Sequence, residues 1–95
     1  MVNENSQIYQ ELLNRIIEVE KDLYGELAIK VASKVKELEI SKNGKVVKIL
    51  GFPKDAIRNL LYEYEVLGGN LSKCVNEAIL EAYRQQYPYI NLPEG

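Results

Sequence analysis

The sequence predicts an α+β fold in which helices pack around one β-hairpin. Within residues 37–52, an Asn43-Gly44 pair separates two runs of alternating apolar and polar residues, which is the strongest short-range signal for a tight hairpin turn. The segments on either side carry apolar residues at spacings of three and four, which is typical of helices that bury one face. A chain of 95 residues is too short for two hydrophobic cores, so we predict a single domain over residues 1–95.

Residues 6–35 are predicted to form a long N-terminal helix with one apolar face. The residues of this face are Ile8, Leu12, Ile16, Val19, Leu23, Leu27, Val31 and Val35. Gly25 lies within the pattern, where glycine costs about 1 kcal/mol relative to alanine. The sequence leaves open whether one helix continues through Gly25 or is broken there.

The hairpin has a predicted register as well as a predicted turn. With Asn43-Gly44 as the two turn residues, the expected cross-strand pairs are Lys42 with Lys45, Ser41 with Val46, Ile40 with Val47, Glu39 with Lys48 and Leu38 with Ile49. Side chains alternate across a strand, so Val47 and Ile49 are expected to turn inward and Lys48 outward. A two-stranded sheet is marginal alone, so the hairpin must pack on a helix or gain a third strand.

Two further helices and an extended C-terminal tail complete the predicted fold. Pro53 and Asp55 suit the first turn of a helix over residues 53–67, and Gly68-Gly69 suits its end. The apolar stripe of this helix is Ile57, Leu60, Leu61, Tyr64 and Leu67. A helix over residues 71–87 follows, with a stripe of Leu71, Val75, Ala78, Ile79, Ala82 and Tyr83, and Pro88 stops it.

Residue types that are missing or rare limit the chemistry of the chain. It has no histidine and one cysteine, which excludes a Cys/His zinc site and Ser-His-Asp or Cys-His catalysis within one chain. Glu18 with Asp22, and Glu77 with Glu81, are four residues apart, but such spacing is typical of solvated helix faces. Cys74 is interpreted as a small buried side chain. We therefore expect no enzyme activity, no metal site and no cofactor.

Positive charge is concentrated in the middle of the chain. Residues 30–54 carry a net charge of +5, whereas the whole chain carries −2. Lysines that neutralise phosphates supply most non-specific affinity for nucleic acid, which makes this segment a candidate nucleic-acid contact. The alternative is that acidic and basic segments lie side by side within or between subunits, and the absence of arginine from the segment favours this alternative.

Residues 45–84 resemble the ribbon-helix-helix DNA-binding family. The similar features are a short strand that runs into Phe52-Pro53, a helix, a glycine-containing turn and a second helix that opens Leu-Ser-Lys-Cys-Val-Asn-Glu-Ala-Ile. The resemblance implies that two chains pair their strands into a ribbon in the major groove. It also implies a phosphate near the start of the second helix. The resulting candidate anion or nucleic-acid contacts are Lys42, Lys45, Lys48, Asn70 and Ser72.

The hairpin register opposes this resemblance. The family pattern turns Lys48 inward and gives Val47 to the DNA, although a buried unpaired lysine is costly and valine cannot read base edges. The whole chain also resembles, in length and general character, a short uncharacterised protein family of hyperthermophilic archaea that has no assigned activity. The high content of lysine, glutamate, isoleucine and valine in this chain favours a heat-adapted source.

The C-terminal end is rich in aromatic and aliphatic residues. The candidate interface residues are Tyr83, Tyr87, Tyr89, Ile90 and Leu92, since tyrosine is enriched at protein interfaces. The tail either docks on a partner or packs on its own chain, where it is a candidate third strand. We therefore predict a non-enzymatic structural or protein-interaction domain, expected as a homodimer, with DNA binding as the alternative.

The sequence predicts a cytoplasmic location and no membrane partner. No apolar run approaches the roughly 20 residues that span a bilayer. The segment Met1–Ser6 lacks the basic and apolar regions of a secretory signal. One cysteine fits a reducing compartment.

Overall fold

The chain forms three helices and one two-stranded hairpin in the order α1, α2, β1, β2, α3. The structure is a computed structural model and describes residues 4–93, so the first residues of the Met1–Ser6 segment lie outside it. The elements are α1 Glu4–Tyr24, α2 Glu26–Ala32, β1 Leu38–Ile40, β2 Val46–Ile49 and α3 Pro53–Gln86. The α+β class is confirmed, and one cluster of buried side chains draws on all five elements and the tail.

The N-terminal helix is broken at Gly25. This glycine has φ 62° and ψ −140°, which is not a helical conformation, and α2 starts at the next residue. The break changes the phase of the apolar face. After the break, Leu27, predicted to be buried, is exposed, whereas Ala28, Ile29 and Ala32 of α2 are buried; Leu23, also predicted to be buried, is exposed in the last turn of α1 before the break. A single helical period cannot describe both sides of a non-helical residue.

The hairpin turn differs from the prediction by one residue. The Gly44 amide donates to the Ser41 carbonyl at 3.0 Å, and the Ser41 amide donates to the Lys45 carbonyl at 2.8 Å. Gly44 has φ 84°, and Asn43 does not have positive φ, so the two-residue type I′ turn is wrong. The loop is instead three residues long with glycine in its last position, which is a common alternative. A side chain at Gly44 would also lie close to Ile29.

A β-bulge restores the predicted pairing farther from the turn. Ile40 pairs with Val46 instead of Val47, but Glu39 pairs with Lys48 and Leu38 with Ile49 as predicted. Val47 is the extra residue of the bulge. Val46 is therefore buried in place of Val47, whose side chain is 57% exposed, while Lys48 is exposed as expected.

Side chains of α1 form hydrogen bonds with the backbone at the start of β2. The Gln10 side chain donates to the Val46 carbonyl and the Asn14 side chain accepts from the Val46 amide, both at 2.7 Å. The hairpin thus gains its cover from a helix. Within residues 4–93 the sheet has two strands, and the predicted tail does not add a third.

Helix α3 is interrupted at Gly69, where the backbone is not helical. Gly69 has φ 58° and ψ −138°, nearly the same values as Gly25. A straight helix of 34 residues would be about 51 Å long, yet the longest dimension of the molecule is 34 Å. The two helices predicted over residues 53–67 and 71–87 correspond to the two parts of α3 on either side of Gly69, a first half, residues 53–68, and a second half, residues 70–86.

The buried face of α3 was predicted correctly in its first half only. There, Ile57, Leu60 and Tyr64 are buried, and the Tyr64 hydroxyl donates to the Ala28 carbonyl at 2.9 Å. In the second half, Leu71, Ala78 and Ala82 of the predicted stripe are exposed, whereas Ile79 and Tyr83 are partly buried against the core. The buried face is rotated by about one residue and consists of Ser72, Asn76 and Leu80. Apolar periodicity could not find a buried face on which two of three residues are polar.

The C-terminal tail packs on its own chain. Ile90 and Leu92 belong to the buried core. The Asn91 amide donates to the Tyr9 hydroxyl at 2.7 Å, and the Arg84 guanidinium donates to the Pro93 carbonyl at 2.5 Å. These bonds join the tail to α1 and to the end of α3.

Replacing Gly69 with alanine should destabilise the protein. The conformation of Gly69 is nearly confined to glycine, and other residues held there lose roughly 1–3 kcal/mol. We expect the free energy of unfolding of Gly69→Ala, measured by urea denaturation with circular dichroism, to fall by that amount. Val66→Ala is the control, since this exposed helical site should change stability by less than about 0.5 kcal/mol. Equal losses in the two variants would contradict the assigned bend.

Candidate functional site

The lysines predicted to contact nucleic acid lie on the surface of the hairpin. Lys42, Lys45 and Lys48 are all exposed. Lys48 stands opposite Glu39 across the sheet. Lys45 lines a recess of about 70 Å³ together with Glu18 and Lys21 of α1. Acidic residues therefore accompany two of the three lysines.

The two remaining candidate anion contacts, Asn70 and Ser72, both lie just after the bend in α3 but differ in exposure. Asn70 is exposed at the start of the second half. Ser72 is fully buried, and its hydroxyl donates to a Glu20 carboxylate oxygen at 3.0 Å. Ser72 is thus turned into the core and cannot meet an external phosphate in this structure.

The predicted C-terminal interface is divided between surface and core. Ile90 and Leu92 are buried and unavailable to a partner, whereas Tyr89 is exposed. The Tyr83 and Tyr87 rings have centroids 6.0 Å apart, and both are half-buried against the core. Tyr83 also donates to Glu11 at 3.2 Å, and burial, reinforced by this carboxylate, raises the pKa of Tyr83 to about 12. The Tyr83 hydroxyl therefore links the end of α3 to α1.

A buried polar cluster joins α1 to the second half of α3. Glu20 is completely buried, and its two carboxylate oxygens accept hydrogen bonds from Ser72 at 3.0 Å and from the Asn76 side-chain amide at 3.1 Å. Burial raises the pKa of Glu20, although both hydrogen bonds oppose this shift. The cluster is therefore a place where the fold buries a titratable group with two neutral donors.

The bend in α3 brings its two halves together above this cluster. A side chain at Gly68 would overlap the Ser72 hydroxyl and would lie 2.5 Å from the Tyr24 hydroxyl, so the backbone approaches α1 closely at this point. Burial, followed by the charge of Glu20, raises the pKa of the nearby Tyr64 hydroxyl, which keeps it a donor. Small residues in α3 thus allow the close contact on which the cluster depends.

A cleft of about 290 Å³ lies between the two halves of α3. Its lining residues are Arg58, Leu61, Tyr62 and Glu65 of the first half, Lys73, Asn76, Glu77 and Leu80 of the second half, and Pro93 of the tail. Asn76 connects this cleft to the cluster. Its Oδ1 atom is buried and has no hydrogen-bond partner among the described residues. Leaving such an atom without a partner costs about 1–3 kcal/mol.

An exposed apolar segment follows the bulge in β2. Over Val47–Phe52, the side chains of Val47, Leu50 and Phe52 are exposed, with 76% of Phe52 accessible. Phe52 is the chain's one phenylalanine. A groove of about 400 Å³ runs beside this segment toward Tyr9 and Gln10 of α1. An aromatic side chain this exposed, among other apolar ones, is typical of an interaction surface.

The other predicted chemical groups do not assemble into a site. Cys74, expected to be buried, is exposed, because the buried face of the second half is rotated away from it. Glu18, Asp22, Glu77 and Glu81 are exposed as predicted. Across the part of the chain that the structure describes, no three His, Cys, Asp or Glu residues are grouped so as to hold a metal ion. None of the helices described is long and apolar enough to cross a membrane.

Sequence reasoning missed Glu20 and Asn76, and it assigned Ser72 to an external anion instead of to a buried cluster. One signal could have indicated this face of α3, since Ser72 and Asn76 are four residues apart and so share one helix face. A face of small and polar residues that must pack against α1 needs a polar partner.

The chain was also compared with models of known protein families, with curated proteins and with solved structures, and no match was found.

Glu20 should make the protein less stable as the pH rises. Since the pKa of Glu20 is raised in the folded state, the folded protein retains a proton that the unfolded chain releases above about pH 4.5. The free energy of unfolding should therefore fall as pH rises from the unfolded pKa through the folded pKa. Glu20→Gln removes the titration, so urea denaturation at a series of pH values should show a shallower decline.

Glu77→Gln is the matched control for this experiment. Glu77 is exposed and adjoins Asn76 in the chain, so its replacement should leave the decline seen in the unmodified protein. An equal decline in all three proteins would show that burial does not perturb Glu20.

Proposed function

We propose that this protein is a non-enzymatic interaction domain that forms a homodimer through the apolar segment Val47–Phe52. The exposure of Phe52, with Val47 and Leu50 in the same short stretch of chain, is the observation that carries the proposal. A two-fold dimer places the same patch on both subunits, so an apolar segment can cover its own copy. The exposed, unpaired Cys74 supports a reducing location such as the cytoplasm.

The backbone of β2 favours side-chain contacts over a shared sheet in this dimer. Gln10 and Asn14 already occupy the outward carbonyl and amide of Val46. A strand from a second chain would have to displace both hydrogen bonds before it could pair along the whole edge of β2. Contacts made by the apolar side chains beyond Val46 would not require these hydrogen bonds to break, so we place the interface there.

Two exposed valines, one inside the proposed interface and one outside it, provide a matched test of the dimer. Val47 and Val66 are 57% and 68% exposed, respectively, and Val66 lies about four turns beyond Phe52 in α3. Sedimentation equilibrium from about 1 μM to 1 mM should show a dimer, and Val47→Lys or Phe52→Ser should weaken it at least tenfold.

The control Val66→Lys should leave the dimer unchanged. A monomer at every concentration would refute the homodimer. A dimer weakened as much by Val66→Lys as by Val47→Lys would place the interface outside the Val47–Phe52 segment.

DNA binding is the second candidate function, and the exposure of Lys42, Lys45 and Lys48 on one hairpin favours it. Lysine contacts to phosphate make binding strongly dependent on salt. If the protein binds DNA in this way, fluorescence anisotropy should detect a labelled duplex at about 50 mM salt, and affinity should fall steeply by about 200 mM.

The double variant Lys42→Glu/Lys45→Glu should then lose this affinity. The control, Arg58→Glu/Lys73→Glu, makes the same change in net charge at exposed basic residues outside residues 30–54. A flat titration at low salt, or equal losses in the two double variants, would end the case for DNA contact by the hairpin.

A further inference from the structure

We propose that Asn43 in the hairpin turn is a site of spontaneous deamidation, and that the closed turn restrains the reaction. Asn43 is the one asparagine of the chain that precedes a glycine, and it is exposed. Glycine has no Cβ atom to hinder an approach to its own amide nitrogen, so an Asn-Gly pair is the context in which an asparagine side chain reacts most readily. The turn lies outside the Val47–Phe52 segment, so the site does not depend on dimer formation.

The reaction needs only the chain itself and water. The Gly44 nitrogen attacks the Asn43 Cγ atom, a five-membered succinimide ring closes, and the side-chain nitrogen leaves as ammonia with the proton that the Gly44 nitrogen has lost. Water then opens the ring by adding its hydroxyl to a carbonyl carbon and its hydrogen to the ring nitrogen. Opening at Cγ gives an aspartyl residue. Opening at the main-chain carbonyl carbon gives an isoaspartyl residue, in which the main chain continues through Cβ and Cγ.

Two contacts of Gly44 restrain this reaction in the folded protein. Its N–H group, which must lose its proton, donates to the Ser41 carbonyl at 3.0 Å. Gly44 is also buried, and a Cβ atom at this position would lie 3.0 Å from a side-chain carbon of Ile29, so the turn has little room to rotate toward the ring geometry. Attack is therefore expected chiefly from molecules in which the hairpin has opened locally.

Contacts with α1 determine how often the hairpin opens. Gln10 and Asn14 hold Val46, two residues beyond Gly44, through hydrogen bonds of 2.7 Å. Asn43 and Gly44 themselves line the recess against α1. The rate of deamidation in the folded protein should therefore follow the strength with which the hairpin is docked on α1.

The two products change the hairpin in different ways. An aspartyl residue at position 43 places a carboxylate between Lys42 and Lys45, in a segment that otherwise carries a net charge of +5. An isoaspartyl residue also lengthens the main chain of the three-residue loop by one methylene group, which displaces Gly44 from its hydrogen bond to Ser41. We expect the isoaspartyl form to lose the protection of the Val46 amide against hydrogen exchange.

Peptide mapping by mass spectrometry tests the site on the full chain. The protein is incubated at mildly alkaline pH, once in buffer and once in enough guanidinium chloride to unfold it. Both products should form at position 43, at least roughly tenfold more slowly in the folded protein than in the unfolded chain. Asn43→Gln should abolish the reaction at this position, because glutamine would have to close a less favourable six-membered ring.

A matched pair of variants tests the role of α1. Gln10→Ala removes one hydrogen bond to Val46, so it should speed the reaction of the folded protein by roughly fivefold. Gln7→Ala removes the same side chain from an exposed site on the same helix and should leave the rate unchanged. In guanidinium chloride, both variants should react at the rate of the unmodified chain.

The absence of both products at position 43 in the unfolded chain would overturn the proposal, and so would equal rates in the folded and unfolded chains. An equal acceleration by Gln7→Ala and Gln10→Ala would also overturn it. If Gln10→Ala does not fold, the comparison between the folded and unfolded states of the unmodified protein still decides the question.

Discussion

Two glycine-centred bends in the helices are the constraint on which the rest of the structure depends. Gly25 and Gly69 adopt nearly identical non-helical conformations, and Tyr24 and Gly68, the residues just before them, approach each other closely. The bend at Gly25 turns α2 back onto the core, and the bend at Gly69 folds α3 upon itself. Without these two turns, helices of this length could not share one small core.

The folding back of α3 determines which side chains become neighbours. Its second half runs against α1, so that Ser72 and Asn76 meet Glu20, and Tyr83 meets Glu11. Its first half runs against α2, where Tyr64 reaches the Ala28 carbonyl. The polar cluster and the cleft above it are both products of the same bend, which is why Asn76 belongs to both.

The hairpin shows how one turn residue changes a functional surface. A three-residue loop in place of a two-residue turn moves the pairing by one position, and the bulge at Val47 restores it. Between these two points, Val46 is buried where Val47 was predicted to be, and Val47 is exposed, as are Leu50 and Phe52. The proposed dimer interface is therefore a consequence of loop geometry, whereas the exposed lysines of the same hairpin are properties of composition alone.

The sequence by itself determined the α+β class, the position of the hairpin, the pairing of Glu39 with Lys48, and the separation of two helices at Gly68-Gly69, whereas it left the break at Gly25 open. Those features depend on local signals, namely periodicity, turn residues and cross-strand charge, which act over a few residues. Only the tertiary structure decided that Leu23, Leu27 and Leu71 face solvent while Glu20, Ser72 and Asn76 are buried. The choice depends on which faces meet after the chain bends at Gly25 and Gly69, and contacts between residues some fifty positions apart leave no local pattern.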